Sequence, residues 1–213
     1  MKYTSVFFDL DGTLTDSSEG ITKCAQLALR HFGIPAEDRD ALRVFIGPPL
    51  RDSFPKFGVL EEQVEEAVAV FRSRYNTVGK FENTPYEGIR ELLEQLKEKG
   101  LRLFVATSKP ETTALEILHK FDLEKYFEII CGATMDGQRD SKESVIAYLL
   151  EKTDGENAIM IGDTAFDVIG AKAFGIPTIG VSWGFGSEEE MLGAGAIAIA
   201  HSIGALREIL LAE

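Results

Sequence analysis

The chain has 213 residues, 45% of them hydrophobic, enough for one ordinary domain or for a core domain carrying a small insertion. A formal charge of −13 at pH 7, with no Lys/Arg-rich run to offset it, excludes a nucleic-acid polymer as partner. Two cysteines, Cys24 and Cys131, are too few for a disulfide framework, and no stretch reaches the ~18 uninterrupted apolar residues of a membrane span; a reduced cytoplasmic protein, neither exported nor membrane-spanning, is expected.

In chain order, SVFF (residues 5–8) is a short apolar run of the kind found in strands buried on both faces. From 16 to 83 no strand is predicted. Ile21, Cys24, Ala25, Ala28, Leu29 and Phe32 form one helical stripe, and Val64, Ala67, Val68, Phe71 and Tyr75 another, with the Gly-Pro-Pro loop of IGPPLRDSF (46–54) between them opening a short helix. Then come a helix on Ile89, Leu92, Leu93 and Leu96, the strand LRLFVA (101–106), and a helix on Ala114, Ile117, Leu118 and Phe121. FEIIC (127–131), NAIMI (157–161), PTIGV (177–181) and AIAIA (196–200) are the remaining strands, with helices on Val145, Ile146, Leu149, Leu150 and on Ile203, Leu206, Ile209, Leu210. This alternation predicts an α/β fold, a Rossmann-like parallel sheet flanked by helices. The expected domains are an α/β core of 1–15 and 84–213 and an all-helical insertion of 16–83, with hinges near Thr15 to Ser18 and Asn83 to Tyr86.

Residues i and i+2 of a strand point the same way, so Asp9 and Asp11 project together while Leu10 turns inward, and Gly12 permits a sharp exit. Ligands of an open parallel sheet bind beyond the C-terminal ends of its strands, where this pair stands. LRLFVA ends there in Thr107-Ser108, and NAIMI ends in Gly162-Asp163 with Asp167 four residues on. Strands remote in sequence therefore deliver acidic and hydroxyl groups to one edge. Ser108 and Glu111 fit a capping box with Pro110 in the first turn, which would aim free N–H groups at the same place. Asp16 reads as a cap for the first helix of the insertion.

Together, DLDGT, ATSKP, DSKES and GDTAFD resemble, in order, the four motifs of the haloacid dehalogenase superfamily, and the resemblance spans the whole chain. The helical insertion resembles that superfamily's small cap, and GPPL within it is similar to the phosphoglycolate phosphatase-like and nucleotidase-like subgroup. The resemblance implies a phosphatase of small phosphorylated metabolites. A carboxylate that attacks phosphorus splits phosphomonoester hydrolysis into two easier steps; Asp9 is the candidate nucleophile, and Asp11 would protonate the leaving alkoxide and later take a proton from water. Mg²⁺, which prefers oxygen ligands and pairs with phosphate, would be held by Asp9, the main-chain carbonyl of Asp11, and Asp163, with Asp167 holding a metal-bound water. Thr107 and Ser108 are expected to grip the phosphate. DSKE reads as Asp140 capping a helix with Glu143 at its third position, which puts Lys142 in the first turn, where a cation opposes the helix dipole unless it reaches Asp9 and the phosphate. Lys142 lacks the proline that often follows this motif's lysine; the alternative is a solvated Lys142, with Lys109 as its substitute. In the cap, Gly47 and Arg51 are candidates for substrate contact, and Trp183 is expected to pack. A 5'-nucleotidase and a phosphomutase share the core motifs and are alternatives. A phosphoacceptor switch of the receiver type is disfavoured by the position of Asp-x-Asp-Gly-Thr after the first strand and by the helical insertion. The sequence does not specify an oligomeric state.

Overall fold

Eight strands occur in the computed structural model, which describes residues 3–153 and 157–212: β1 Ser5–Phe8, β2 Thr15–Asp16, β3 Thr84–Pro85, β4 Arg102–Pro110, β5 Ile129–Ala133, β6 Ala158–Gly162, β7 Thr178–Val181 and β8 Ala198–Ala200. Six form a parallel sheet in the order β5-β4-β1-β6-β7-β8, and β2 pairs with β3 in a separate ribbon. The strand order reverses at β1, which lies between β4 and β6. Connections leave β1 toward both sides of the sheet and open a crevice at its C-terminal end.

The chain divides into two compact units, Met1–Thr15 with Pro85–Glu213, and Asp16–Thr84. In the first, α4 Ile89–Glu98, α5 Glu111–Lys120, α6 Lys142–Lys152, α7 Ala165–Lys172, α8 Glu188–Ala194 and α9 Ile203–Leu211 accompany the sheet. Alternation along β1 feeds two cores. Val6 and Phe8 pack with Leu93 and Leu96 of α4, Ile117 of α5 and Leu206 of α9, whereas Phe7 packs with Phe104, Met160, Val145 and Ile146 of α6 and Ala171 of α7. Burial on both faces is why these strands read as continuous apolar runs rather than as alternating ones.

In the second unit, α1 Ser18–His31 and α2 Leu50–Ser53 are joined through one 3₁₀ segment, and α2 and α3 Val64–Tyr75 through two. Their shared core includes Phe45 against Phe54 (ring centroids 5.0 Å apart) and Phe71 against Tyr75 (5.3 Å). Asp16 accepts a hydrogen bond from the Ser18 amide (2.9 Å), with Ser17 in the N-cap position. Glu82 takes both guanidinium nitrogens of Arg74 (2.6 and 2.9 Å) and the Lys23 ammonium (2.9 Å). The Arg74 bond dominates and holds the Glu82 carboxyl down at about 2.

Two local expectations are corrected. β4 does not end at Ala106 but runs to Pro110, and α5 starts at Glu111 with no side-chain cap, so Ser108 and Glu111 form no capping box. The residue before a proline is disfavoured in the helical region, and the chain stays extended through Lys109. Glu111 instead accepts from Arg139 (2.5 Å) and from the Gly132 amide (3.3 Å). At α6 the cap is Ser141, not Asp140, because Ser141 and Ser144 satisfy each other's amides reciprocally; Lys142 keeps its place in the first turn.

Candidate active site

Asp9 directly follows β1 and still donates its amide to Ile161 O of β6 (2.9 Å), which fixes its direction by the strand's own parity. It falls on the Phe7 side of the sheet, the side where α6 begins. There the Lys142 ammonium lies 2.7 Å from Asp9 Oδ1 and 2.7 Å from Asp167 Oδ1, and donates to Ala106 O at 2.9 Å. The cation at the start of α6 thus has partners strong enough to outweigh the unfavourable helix dipole. Burial lowers the Lys142 pKa, but the Asp167 and Asp9 carboxylates reverse this and hold it above its ordinary value.

Beyond Asp9 the chain turns tightly, with Leu10 O accepting the amides of Leu14 and Thr15 (2.9 and 3.0 Å). Gly12 is needed there twice over: its φ is +80°, and a Cβ would lie 2.0 Å from Asp163 Oδ2. Asp163, just after β6, is 1% exposed and accepts the Phe185 amide through Oδ2 (2.8 Å). Gly184 lets the loop after β7 come that close, since a Cβ there would lie 2.4 Å from the same Oδ2. Trp183 donates its indole N–H to Thr13 O (3.2 Å) and packs edge-on against Tyr86, so its part is to tie this loop down.

Asp167 accepts the amide and hydroxyl of Thr164, the N-cap of α7, through Oδ2 (3.1 and 3.0 Å). It therefore caps the helix and serves the cluster at once, one oxygen for each. Asp9, Asp163 and Asp167 can offer one carboxylate oxygen each, all within 4.8 Å of one another. Burial, then their mutual charges, push Asp163 well above the usual carboxylate range; burial also raises Asp167, against the pull of Lys142.

These residues fit a divalent cation. The Oδ1 atoms of all three acids are buried without a hydrogen-bond donor aligned on them, although those of Asp9 and Asp167 lie at ion-pair distance from Lys142. Asp9, Asp163 and Asp167 share one lysine, Lys142, an excess of two negative charges that one divalent ion cancels. An all-oxygen set of this kind suits Mg²⁺.

The β4–β5 ladder pairs Ala106 with Cys131 and resumes at Pro110 with Ala133, leaving two extra residues on β4. The resulting bulge lifts Thr107, Ser108 and Lys109 out of the regular ladder. Thr107 is buried, and its hydroxyl accepts the Lys109 amide (3.2 Å). Sequence reasoning held Lys109 only as a substitute for Lys142, yet its ammonium lies 2.7 Å from Asp11 Oδ2. The two lysines divide the two aspartates between them. The signal was the lysine's place inside the motif, unreadable without the bulge that turns it.

In the helical unit, Gly47 is exposed with φ +98°. Arg51 is exposed too and holds Glu65 in a two-pronged pair (2.5 and 2.9 Å). Its guanidinium is therefore already engaged, and the pair keeps the Glu65 carboxyl below its ordinary value.

Comparison with known proteins adds a context to this geometry. A 5'-nucleotidase of Pseudomonas aeruginosa is 42% identical over 213 residues, covering 99% of this chain and 96% of that protein. The Tyrosine-protein kinase PtkA of Mycobacterium tuberculosis is 42% identical over 209 residues, 96% of this chain and 72% of that protein. The crystal structure of a protein described as a predicted phosphatase from Clostridium acetobutylicum superposes with a TM-score of 0.93 at 46% identity, over 98% of each chain. Residues 6–181 match the model of the family described as haloacid dehalogenase-like hydrolase, and the chain belongs to that family.

Proposed function

We propose that the protein is a Mg²⁺-dependent phosphatase of small phosphomonoesters that works through an aspartyl-phosphate on Asp9. The chain is a phosphoric monoester hydrolase of the haloacid dehalogenase-like family; the metal, the intermediate and the substrate are the finer reading. The observation that carries it is the meeting of Asp9, Asp163, Asp167 and Lys142 beside Asp11 at the sheet's switch point. Asp9 attacks phosphorus, an Asp9 O–P bond forms as the ester P–O bond breaks, and Asp11 gives its proton to the departing oxygen. Asp11 then takes a proton from the water that cleaves the acyl phosphate, which restores Asp9 and releases phosphate. Thr107, the Ser108 amide and Lys142 hold the phosphoryl group. When bound by Asp9, Asp11 O, Asp163 and Asp167, the ion would neutralise phosphate charge and polarise a phosphoryl oxygen.

The Asp16–Thr84 unit is the element that selects the alcohol, through Gly47 and Arg51, and Arg51 must let go of Glu65 to do so. A nucleoside monophosphate is favoured by the 42% identity to a 5'-nucleotidase across the full chain; a phosphoglycolate-like substrate is supported by GPPL and by the 33% identity to a phosphoglycolate phosphatase of Aquifex aeolicus over 84% of this chain. A relative that bears the name of a kinase favours a second reading, transfer of the same phosphoryl group to an acceptor other than water. The test is a screen of purified protein against a panel of phosphomonoesters with Mg²⁺, scored by kcat/KM and by released phosphate. Hydrolysis of a nucleoside monophosphate or phosphoglycolate above the rest is the expected result. EDTA should lower turnover by more than about 100-fold, with recovery on adding Mg²⁺. Full activity in EDTA would contradict the ligand assignment, and substrate loss without phosphate release would favour the second reading.

A further inference from the structure

Lys109 is 8% exposed, and the environment that holds it has been built by the chain around it. Pro110 keeps the residue before it extended, the β4 bulge lifts it from the ladder, and its amide is fixed by Thr107 Oγ1 at 3.2 Å. From there its ammonium reaches Asp11 Oδ2 at 2.7 Å, in a pair whose side chains are 5% and 13% exposed. The other oxygen, Asp11 Oδ1, is buried and has no hydrogen-bond partner. Lys142 is occupied by Asp9 and Asp167, so the two lysines are not interchangeable. A buried, charge-assisted contact fixes a carboxylate's orientation far better than an exposed one does.

We propose that Lys109 is a positioning residue for Asp11: it holds Oδ2, and so presents Oδ1 as the oxygen that exchanges a proton with the leaving group. The inference rests on the phosphatase reading above and adds a residue and an atom to it. A leaving alkoxide needs that proton at the moment the P–O bond breaks, whereas 4-nitrophenolate leaves without it. A lysine that only bound phosphate, or only supported the fold, would affect both classes of ester alike.

The test compares kcat/KM for an alkyl phosphomonoester and for 4-nitrophenyl phosphate in the full-length wild type, Lys109→Met and Lys109→Arg, with thermal melting of each. Lys109→Met is expected to lose about 100-fold or more on the alkyl ester and less than about 10-fold on the aryl ester. Lys109→Arg, which keeps the charge, should show a smaller loss with the same bias and carries the comparison if the Met variant does not fold. In an Asp11→Asn background, Lys109→Met should add almost nothing to the alkyl loss, because the two residues act as one unit. Equal losses on both esters, unchanged alkyl activity, or losses that multiply with Asp11→Asn would overturn the inference while the phosphatase reading stands. A wild type inert towards both esters would overturn both.

Discussion

Asp9→Asn is expected to lower kcat/KM by at least about 10⁴-fold without unfolding the protein. A carboxamide is a poor nucleophile towards phosphorus, so the two-step route closes at its first bond. The fold should tolerate the change, because Asn is nearly isosteric and Asp9 is one source of the repulsion that raises Asp163 and Asp167. Lys142 keeps its contacts with Asp167 and Ala106 O. A melting temperature at or above that of the wild type, measured without metal, is the expected companion result. Retention of more than about 1% of wild-type activity, with contaminating phosphatases excluded, would contradict the assignment of the nucleophile.

Lys142→Met is expected to damage both stability and turnover. Its ammonium is the shared counter-ion of two buried carboxylates and the donor to Ala106 O, and Met restores the bulk without the charge. Removing one partner from a buried ionic cluster costs about 3–5 kcal/mol, which lowers the melting temperature of a chain this size by roughly 6–20 °C. The pH dependence has a definite sign. With its pKa raised above 10.5, Lys142 contributes stability throughout neutral pH and loses it only as pH climbs through that range. In the variant, burial raises Asp167 without the opposing pull of Lys142, so this group binds its proton more tightly in the folded state than in the unfolded one. Acidification should therefore narrow the gap to the wild type. Turnover should fall about 10³-fold, as for the loss of one electrostatic group at a reacting centre. A variant that melts like the wild type would show that Lys142 is not the counter-ion.

Much of this was legible in the sequence, for physical reasons that differ from residue to residue. Strands covered on both faces leave unbroken apolar runs, so SVFF, LRLFVA and NAIMI announced a parallel sheet. The switch-point rule placed Asp9, Asp163 and Asp167 at one edge of the sheet, where each offers a carboxylate oxygen within 4.8 Å of the others; Asp11 lies past the tight turn after β1, where strand parity no longer sets its direction. The dipole argument on Lys142 led to its partner Asp9, although the cap residue named for its helix was off by one, since Ser and Asp both cap well and neighbours compete.

What stayed hidden depended on backbone paths rather than on residue types. The register shift in β4 has no periodicity of its own, and without it neither the missing capping box at Ser108 nor the Lys109–Asp11 pair could be read. The approach of Phe185 N–H to Asp163 requires knowing that two loops cross within bonding distance, which the glycines of SWGFGS permit but do not dictate. Arg51 could be singled out from GPPL, but its exposed pairing with Glu65 across 14 positions could not.

The central claim is that Asp9 becomes phosphorylated during turnover. Rapid quenching of the wild type in steady state with a good substrate, followed by borohydride reduction and peptide mass spectrometry, tests it directly, because reduction converts an aspartyl-phosphate to homoserine. Substrate-dependent homoserine at position 9, absent in Asp9→Asn, is the predicted result. Homoserine at another aspartate, or none at any position while phosphate is being released, would contradict it.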